Sequence, residues 1–453
     1  MSALLFRSLS EVEVSAMLRR RMGALAVCML LAANANAQGA DAPYPIDLPT
    51  TLRLAKADNL DVKLAQERIN EAKANHGSAM AKFLPWLTAG VAYRRHEGRT
   101  QAVDGTLVDT DKQSTSIGPT ITAQVDIGDA LFTTLAAKQT VYASAAALQA
   151  QQQDSTLAAA SGYFELLKAN ALVEANRDAL TTSQTYEQQL QGGLAAGVIF
   201  KGDLLRVQTQ TQRYQVAVIQ AQQQQRLVSA RLAELLHLDP AVELMPQDSE
   251  LVPIALLQTE ISQDVLIKQA LDTRAELQQS QAQLQAAREA KKNAVYGPLI
   301  PSLGAQAFMG ELGGGKDGTS GNYGNSRDYA VGLSWRFGPG GLFDFSRINA
   351  ANSKLTSAEL GVEKTSNSIK RQVIEAQARV QSSSEQMTAS RNALSNATAT
   401  LRLTRDRKQL GVGIVLEDIQ AQQELVRART EYLSTITEYN KAQYELSKAL
   451  GSL

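Results

Sequence analysis

Residue types that carry out chemistry are few and scattered in this chain. The three histidines, His76, His96 and His237, stand far apart, so neither a zinc spacing nor a His-centred acid–base pair is present. The single cysteine, Cys28, lies in an apolar N-terminal run and leaves no thiol downstream for a disulfide or a thiolate metal site. Glu417 and Asp418 are adjacent carboxylates, but no His, Cys or Ser constellation accompanies them. The clusters Gly313-Gly314-Gly315 and Gly318-Thr319-Ser320-Gly321 could cradle a phosphate only between a strand and a helix N-terminus. They fall between two strand-like segments with no Gly-Lys-Ser/Thr after them, so they read as a solvated surface loop. No enzyme and no cofactor or metal site is expected. Two acids remain, Asp203 and Glu417, each just after a Gly-containing turn that opens a long helical stretch. Their plain reading is negative charge at the favourable end of a helix dipole, worth a few tenths to about 1 kcal/mol.

The composition suits long helices better than a compact globule. Ala and Gln are abundant and aromatics make up only 5% of the chain. Lys+Arg and Asp+Glu are both 45, so no basic surplus points to nucleic acid. Arg19-Arg20-Arg21, the apolar run 22–33 and Ala35-Asn36-Ala37 follow the order of a secretory signal peptide, assigned to residues 1–37. An N-terminal anchor helix is the rival reading, and the run is short for a membrane span. Either Met1 or Met17 could be the initiator. Cys28 has Val27 before it and Met29-Leu30-Leu31 after it, which is not the setting of a lipid-anchored cysteine. No later run is apolar enough to be a membrane helix. An exported chain of this kind is soluble or a β-barrel.

The chain is written twice. Val62, Ile69, Ala72 and Ala79 match Leu277, Leu284, Ala287 and Ala294 at one constant spacing. Pro85, Leu87 and Ala89 match Pro301, Leu303 and Ala305, and Leu131-Phe132 matches Leu342-Phe343. Gly197-Val198 matches Gly411-Val412, Asp203 matches Glu417, and Leu232 and Leu236 match Leu446 and Leu450. The expected division is a first repeat over 45–237, a linking segment over 238–264 that forms a small extra lobe, and a second repeat over 265–453. Each repeat reads as a helix of about 30 residues ending at a proline, two strands around a polar loop, and two long helices around a turn.

The strand segments alternate. Ile117, Pro119, Ile121, Ala123, Val125 and Ile127 face one way; Thr120, Thr122, Gln124 and Asp126 face the other. Leu87, Ala89, Val91 and Tyr93 repeat the pattern, as do Leu303, Ala305, Ala307 and Met309, with Phe308 a blemish on the polar side. Tyr329, Val331, Leu333, Trp335 and Phe337 form the last such row. Segments that are apolar outside and polar inside, with aromatic ends, suit a membrane barrel wall; a half-buried soluble sheet has the same period. Residues 95–115 and 311–327 read as polar loops. Four strands cannot close a barrel, since about eight is the smallest closed set, so a barrel requires several chains.

The stretch from 129 to 191 would make a helix on the order of 90 Å long, wider than any globule. In the last helix Leu425, Ala428, Tyr432, Thr435, Tyr439, Ala442, Leu446, Ala449 and Leu453 step by threes and fours as a heptad seam. Tyr214, Val218, Ala221, Gln225, Val228, Leu232 and Leu235 repeat it in the first copy.

On these features the chain closely resembles the TolC family of outer-membrane efflux proteins over residues 45–453. The carriers are Asn59-Leu60-Asp61-Val62 and Arg274-Ala275-Glu276-Leu277, then Leu84-Pro85 and Ile300-Pro301. The turns Ala196-Gly197-Val198-Ile199 and Leu410-Gly411-Val412-Gly413 and the ending Tyr444-Glu445-Leu446-Ser447-Lys448-Ala449-Leu450-Gly451 complete them. The resemblance implies an α+β membrane protein with an internal duplication. It implies a homotrimer whose twelve-stranded β-barrel, four strands per chain, sits in outer-membrane lipid and continues into a long α-helical periplasmic barrel closed at its tip. It further implies a periplasmic adaptor meeting the tips at Gly197, Val198, Gly411, Val412 and Gly413, and an inner-membrane pump behind the adaptor. Asp203 and Glu417 would then form a carboxylate ring that selects by charge. In relatives an acid of the first tip holds a polar or cationic residue of the second. Gly413 has no side chain for such a link, and Lys408 paired with Asp203 would replace it. Outside this family, the competing reading is an exported coiled-coil structural protein or adhesin without a pore. Within it, toxin secretion competes with drug efflux.

Overall fold

The structure is a computed structural model that describes residues 43–84, 86–248, 250–256, 261–316, 321–410 and 413–453. The expected signal peptide, Pro85, Gly318-Thr319-Ser320 and the tip residues Gly411 and Val412 lie outside the described residues. Strand β1 (Tyr44–Ile46) leads into helices α1 (Leu48–Ala57) and α2 (Leu60–Ala81). Strands β2 (Trp86–Gln101) and β3 (Leu107–Asp126) precede α3 (Ile127–Ala195) and α4 (Lys201–Leu235). After β4 (Leu244–Pro246) the pattern returns: α5 (Gln263–Thr273), α6 (Ala275–Tyr296), β5 (Ser302–Lys316), β6 (Gly324–Ser334), α7 (Phe345–Gln409) and α8 (Val415–Ala449). The duplication extends to element lengths. Helices α2 and α6 have 22 residues each, and α4 and α8 have 35 each. Helix α3, with 69 residues, spans about 100 Å at the usual rise.

Each first helix is broken, where the sequence suggested one continuous helix. Asn59 breaks the first. Its Oδ1 accepts the amides of Asp61 and Val62 at 2.8 and 3.3 Å, the bonding of an N-cap. Its Nδ2 donates to the Leu235 carbonyl at 2.8 Å, at the C-terminal end of α4. Arg274 breaks the second at the equivalent position. It is 3% exposed and donates through Nη1 to the carbonyls of Lys448 and Ala449, at the end of α8. Both breaks place a donor on carbonyls that a helix C-terminus leaves unpaired.

Strands β2-β3-β5-β6 form one antiparallel sheet in that order. The alternation read from the sequence is the observed face pattern. Leu87, Ile121, Ala307 and Tyr329 stand in one cross-strand row, and Ala123, Ala305 and Val331 in another. The opposite face carries Thr88, Thr120, Phe308 and Asp328, and its trough is lined mainly by small and polar residues. The sheet is longer than expected. Residues 95–101 and 107–115 are strand joined by a tight turn at 102–106, where Gly105 adopts φ 87°. Cross-strand ion pairs Arg95–Asp111 (3.1 Å) and Arg99–Asp109 (3.6 Å) hold this extension, so both faces are polar and the period-two signal vanishes. The supposed glycine loop is likewise strand. Gly313, Gly314 and Gly315 pair with Thr115, Ser114 and Gln113, and a side chain on Gly313 would enter the Tyr323 ring at 2.5 Å. Conversely, β6 ends at Ser334, so Trp335 and Phe337 lie beyond it, and Ile127 already belongs to α3.

Among the described residues three apolar clusters hold the helices. The largest, at the equator, joins Ile46, Tyr163, Phe164, Leu232, Leu236 and Leu244, where β1 pairs in parallel with β4. The second packs α5 and α6 on α7 and α8 through Leu266, Leu277, Ile369, Val373 and Leu446. The third, near the tip, joins Tyr186, Leu190, Leu204, Val207, Val415 and Ile419. The heptad seam of α8 accounts for only part of its buried surface: of the seam, Ala428, Ala442, Leu446 and Ala449 are buried. Asn440 and Gln443, off that seam, are also buried and bind the backbone of the strap 252–256. Among the described residues no helix is long and apolar enough to cross a membrane.

Candidate gate at the helical tip

The two helical hairpins, α3–α4 and α7–α8, end on the same side of the molecule and share the tip cluster. The first turn is closed by glycine. Gly197 adopts φ 74°, its amide donates to Leu194 at 3.0 Å, and the Val198 amide donates to Gly193 at 3.0 Å. This is the left-handed ending that lets a helix stop within two residues. Val198 projects 76% exposed beside the exposed Phe200. In the second turn Gly413 packs on the chain that precedes it. A Cβ there would lie 2.9 Å from the Lys408 amide nitrogen and 3.0 Å from its Cα. The missing side chain is therefore a condition for seating Lys408.

Asp203 and Glu417 each sit in the first turn of their helix, as the sequence indicates. Within the protomer each has a basic neighbour of its own: Asp203 meets Arg206 at 3.1 Å and Glu417 meets Arg407 at 3.4 Å. The expected pairing of Lys408 with Asp203 is not formed within the protomer. The Lys408 ammonium instead stands over the Tyr186 ring, 3.3 Å from its centroid. Tyr186 belongs to α3 and Lys408 to the end of α7, so this contact ties one hairpin to the other. The face of a phenol ring attracts a cation, which gives a partly desolvated lysine a partner without an acid.

A third acid, not singled out as a gate residue from the sequence, is the most enclosed. Asp418 is 4% exposed, its Oδ1 makes no hydrogen bond, and Arg405 Nε stands 3.9 Å away. It lines a groove of about 450 Å³ with Tyr186, Lys408, Arg405 and Gln422. Its signal was present in the sequence, because Asp418 falls on the stripe of Val415, Ala421 and Gln422 that α8 buries. Burial pushes the Lys408 amine below its ordinary value, with Arg405 adding to the effect and Asp418 opposing it. Burial, then the charges of Asp418 and Asp203, push the Tyr186 phenol up, so it stays neutral. Neighbouring bonds brace the site. Gln422 Nε2 donates to the Ala179 carbonyl at 3.3 Å, Gln423 Nε2 to Gln210 Oε1 at 2.6 Å, and Arg429 pairs with Asp178 at 3.0 Å. Among the described residues no group of His, Cys, Asp or Glu could hold a metal ion.

A sheet with one apolar and one polar face, prolonged by hairpins of about 100 Å, defines a membrane-wall protein with a long helical extension. The chain belongs to the outer membrane efflux protein family, whose model matches residues 51–236 and again 266–452. It is similar in fold to a membrane protein of Pseudomonas aeruginosa, with a TM-score of 0.74 and 19% identity over 89% of this chain and 90% of that one. It is also similar to the Campylobacter jejuni CmeC outer membrane channel, with a TM-score of 0.74 and 16% identity over 89% and 85% of the two chains. The Neisseria gonorrhoeae MtrE outer membrane channel, in its open state, aligns with a TM-score of 0.72 and 17% identity over 89% and 88%. No curated protein matches the chain by sequence. The family's members are channels rather than enzymes, and the chain accordingly sits in the outer membrane with its helices forming the periplasmic barrel.

Proposed function

We propose that three copies of this chain form the outer-membrane duct of a tripartite export system, fed by an inner-membrane pump through a periplasmic adaptor. The observation that carries the reading is the open sheet: β2 and β6 are both edge strands, and one face is apolar across all four strands. An open edge of 16 residues is an association hazard unless another strand covers it. Joining β6 of one copy, 11 residues long, to β2 of the next covers most of the open edge of this sheet and closes the polar trough into a lumen. Within this reading the chain divides into a signal peptide over 1–37, repeats over 45–237 and 265–453, and the linking segment 238–264. The adaptor meets the tips around Gly197, Val198, Gly411, Val412 and Gly413. Native mass spectrometry of the detergent-purified protein tests the assembly and should give a trimer that conducts in a planar bilayer; a stable monomer would sink it.

The tip is the gate in this proposal. Asp203 and Glu417, repeated around the threefold axis, form the charged constriction, and Lys408 holds the second hairpin to the first through Tyr186. Arg206 and Arg407 offset part of the acids' field, so the expected cation preference is moderate. Replacing both acids (Asp203→Ala with Glu417→Ala) lowers the cation preference, measured as reversal potential in a salt gradient. An unchanged reversal potential removes these acids from the constriction.

A further inference from the structure

The two edge strands carry charges that the protomer leaves open. Arg94 on β2 and Asp328 on β6 are exposed and line the polar trough. Among the described residues Arg94 makes no ion pair, and Asp328 only accepts the Ser326 hydroxyl at 3.3 Å. They stand three strands apart, on the order of 14 Å, so they cannot meet within one copy. The opposite face repeats the situation. Arg327 on β6 stands across from Met309, exposed and without an ion pair among the described residues. On β2 the same face holds Arg95 between Glu97 at 2.5 Å and Asp111 at 3.1 Å, two carboxylates to one guanidinium. Each face therefore has an unmatched charge on β6 and an opposite one, or a surplus of it, on β2.

Strand geometry limits how a second copy can bring them together. Trp86 stands level with Thr122, Gln306 and Ala330 across the sheet. In a closed barrel the strands tilt by about 35–45°, so the register advances from each copy to the next. With strands about 4.8 Å apart and about 3.3 Å per residue, four strands advance it by roughly four to six residues. The pleat admits only an even step, because an odd one would turn the apolar face inward. Since β2 begins at Trp86, the step runs onward along β2, to Gly90 or to Ala92.

The charges choose between these two registers. With Ala330 opposite Ala92 of the next copy, Asp328 stands directly opposite Arg94. Arg327 then stands opposite Arg95 and diagonal to Glu97, and completes a cluster of two cations and two acids. With Ala330 opposite Gly90, Asp328 faces Ala92, and Arg327 faces Tyr93 with no acid beside it. Opposite charges on facing strands stabilise a pairing, and an unmatched one does not. We infer that β6 and β2 of adjacent copies join at the first of these registers, so that Asp328 pairs with Arg94 of the next copy inside the lumen while Arg327 joins Arg95 and Glu97 outside. All 11 residues of β6 then lie against 88–98 of β2. The inference rests on the proposed trimer and adds the contacts by which one copy recognises the next.

The test is disulfide trapping in the full-length protein in its membrane. Cys28 is the only cysteine, so a Cys28→Ser chain reports introduced pairs alone. A disulfide needs Cα atoms within about 7 Å, which directly opposed residues satisfy and diagonal ones miss. Ala92→Cys with Ala330→Cys should give covalent dimers and trimers on a non-reducing gel. Gly90→Cys with Ala330→Cys, at a position where a Cβ meets nothing, should leave monomers. Linking by the second pair, or by neither, overturns the register. Separately, Arg94→Asp should speed dissociation of the purified trimer in detergent about fivefold, and adding Asp328→Arg should restore the original rate. A double variant as labile as the single one removes the ion pair. A wild-type chain that is monomeric by native mass spectrometry fails the trimer itself. A wild-type trimer without the Ala92–Ala330 link fails only this seam.

Discussion

The two repeats solve one mechanical problem with different chemistry. In both, the first helix is interrupted so that a side chain can reach the carbonyl end of the last helix of the same repeat. The first repeat uses Asn59, a small amide that also caps the new helix. The second uses Arg274, a buried cation whose charge needs Glu276 at 2.6 Å and Gln372 at 2.9 Å. The helix lengths are conserved between repeats while the bond that sets them is not. What the two repeats share is therefore the contact between helix break and helix end, while the residue making it is a neutral amide in the first and a cation in the second. The tips differ as well. The acid of the first tip pairs locally with Arg206, whereas the second tip sends Lys408 across to the other hairpin and buries Asp418.

This contrast predicts unequal sensitivity. Arg274→Ala leaves the partly buried Glu276 without its ion-pair partner and the Ala449 carbonyl without its side-chain donor, while the Lys448 carbonyl keeps the Gly451 amide, a loss of about 3 kcal/mol, the low end for a broken buried pair. Asn59→Ala removes a cap and one donor, and should cost about 1–3 kcal/mol. Denaturant midpoints of the purified variants measure both. The sharper experiment is Arg274→Asn with Glu276→Gln, which gives the second repeat a neutral amide like that of the first. Recovery of at least half of the Arg274→Ala loss would show that the contact, rather than the charge, is what the break requires. Equal losses for Asn59→Ala and Arg274→Ala would dissolve the contrast.

A smaller effect separates the tips. Lys408→Met removes the ammonium from the Tyr186 ring, a contact worth about 0.5–2 kcal/mol depending on desolvation. Conductance in planar bilayers should rise as the second hairpin loosens. Arg206→Met breaks only an exposed pair one turn apart, of the kind worth about 0.3–0.5 kcal/mol, and should change conductance less than Lys408→Met does, through the lost charge alone. Equal conductance changes in the two variants would mean that the cross-hairpin contact does not hold the gate.

The same contrast explains which parts of the molecule were legible in the sequence. The sheet within the apolar band was legible because Leu87, Ile121, Ala305 and Val331 stand on one apolar face while their neighbours in sequence stand on the other. Its outer extension was hidden, since Arg95 and Asp111 satisfy each other across strands and no face is apolar. The break at Asn59 uses a capping residue, but nothing in the type of Arg274 announces a helix break. At the tip, Asp203 and Glu417 were readable from their place after the turns. The Lys408–Tyr186 contact was not, because it joins hairpins more than 200 residues apart and depends on an aromatic face rather than on opposite charge. Asn440 and Gln443 fall off the heptad seam, and the strap they bind carries no periodic pattern that would announce the contact.

The weakest consequence of the ionic break is a dependence on acid that the neutral one lacks. Burial, the largest influence on Glu276, pushes its carboxyl up, but the hydrogen bonds and charge of Arg274 pull it below the ordinary value of 4.5 and prevail. A carboxylate whose folded value lies below its unfolded one contributes stability that is complete above the unfolded value. That contribution disappears as pH falls through the folded value. The gap in stability between the wild type and Glu276→Gln should thus be constant near neutrality and shrink below about pH 4.5. Asn59 has no titrating partner, so the gap between the wild type and Asn59→Ala should stay flat over the same range. Denaturant midpoints of the three proteins, followed from neutral pH into acid, measure both gaps. A flat Glu276→Gln gap would mean that Arg274 keeps its place through the carbonyls of Lys448 and Ala449 alone, and the two repeats would then be closer in chemistry than their residues suggest.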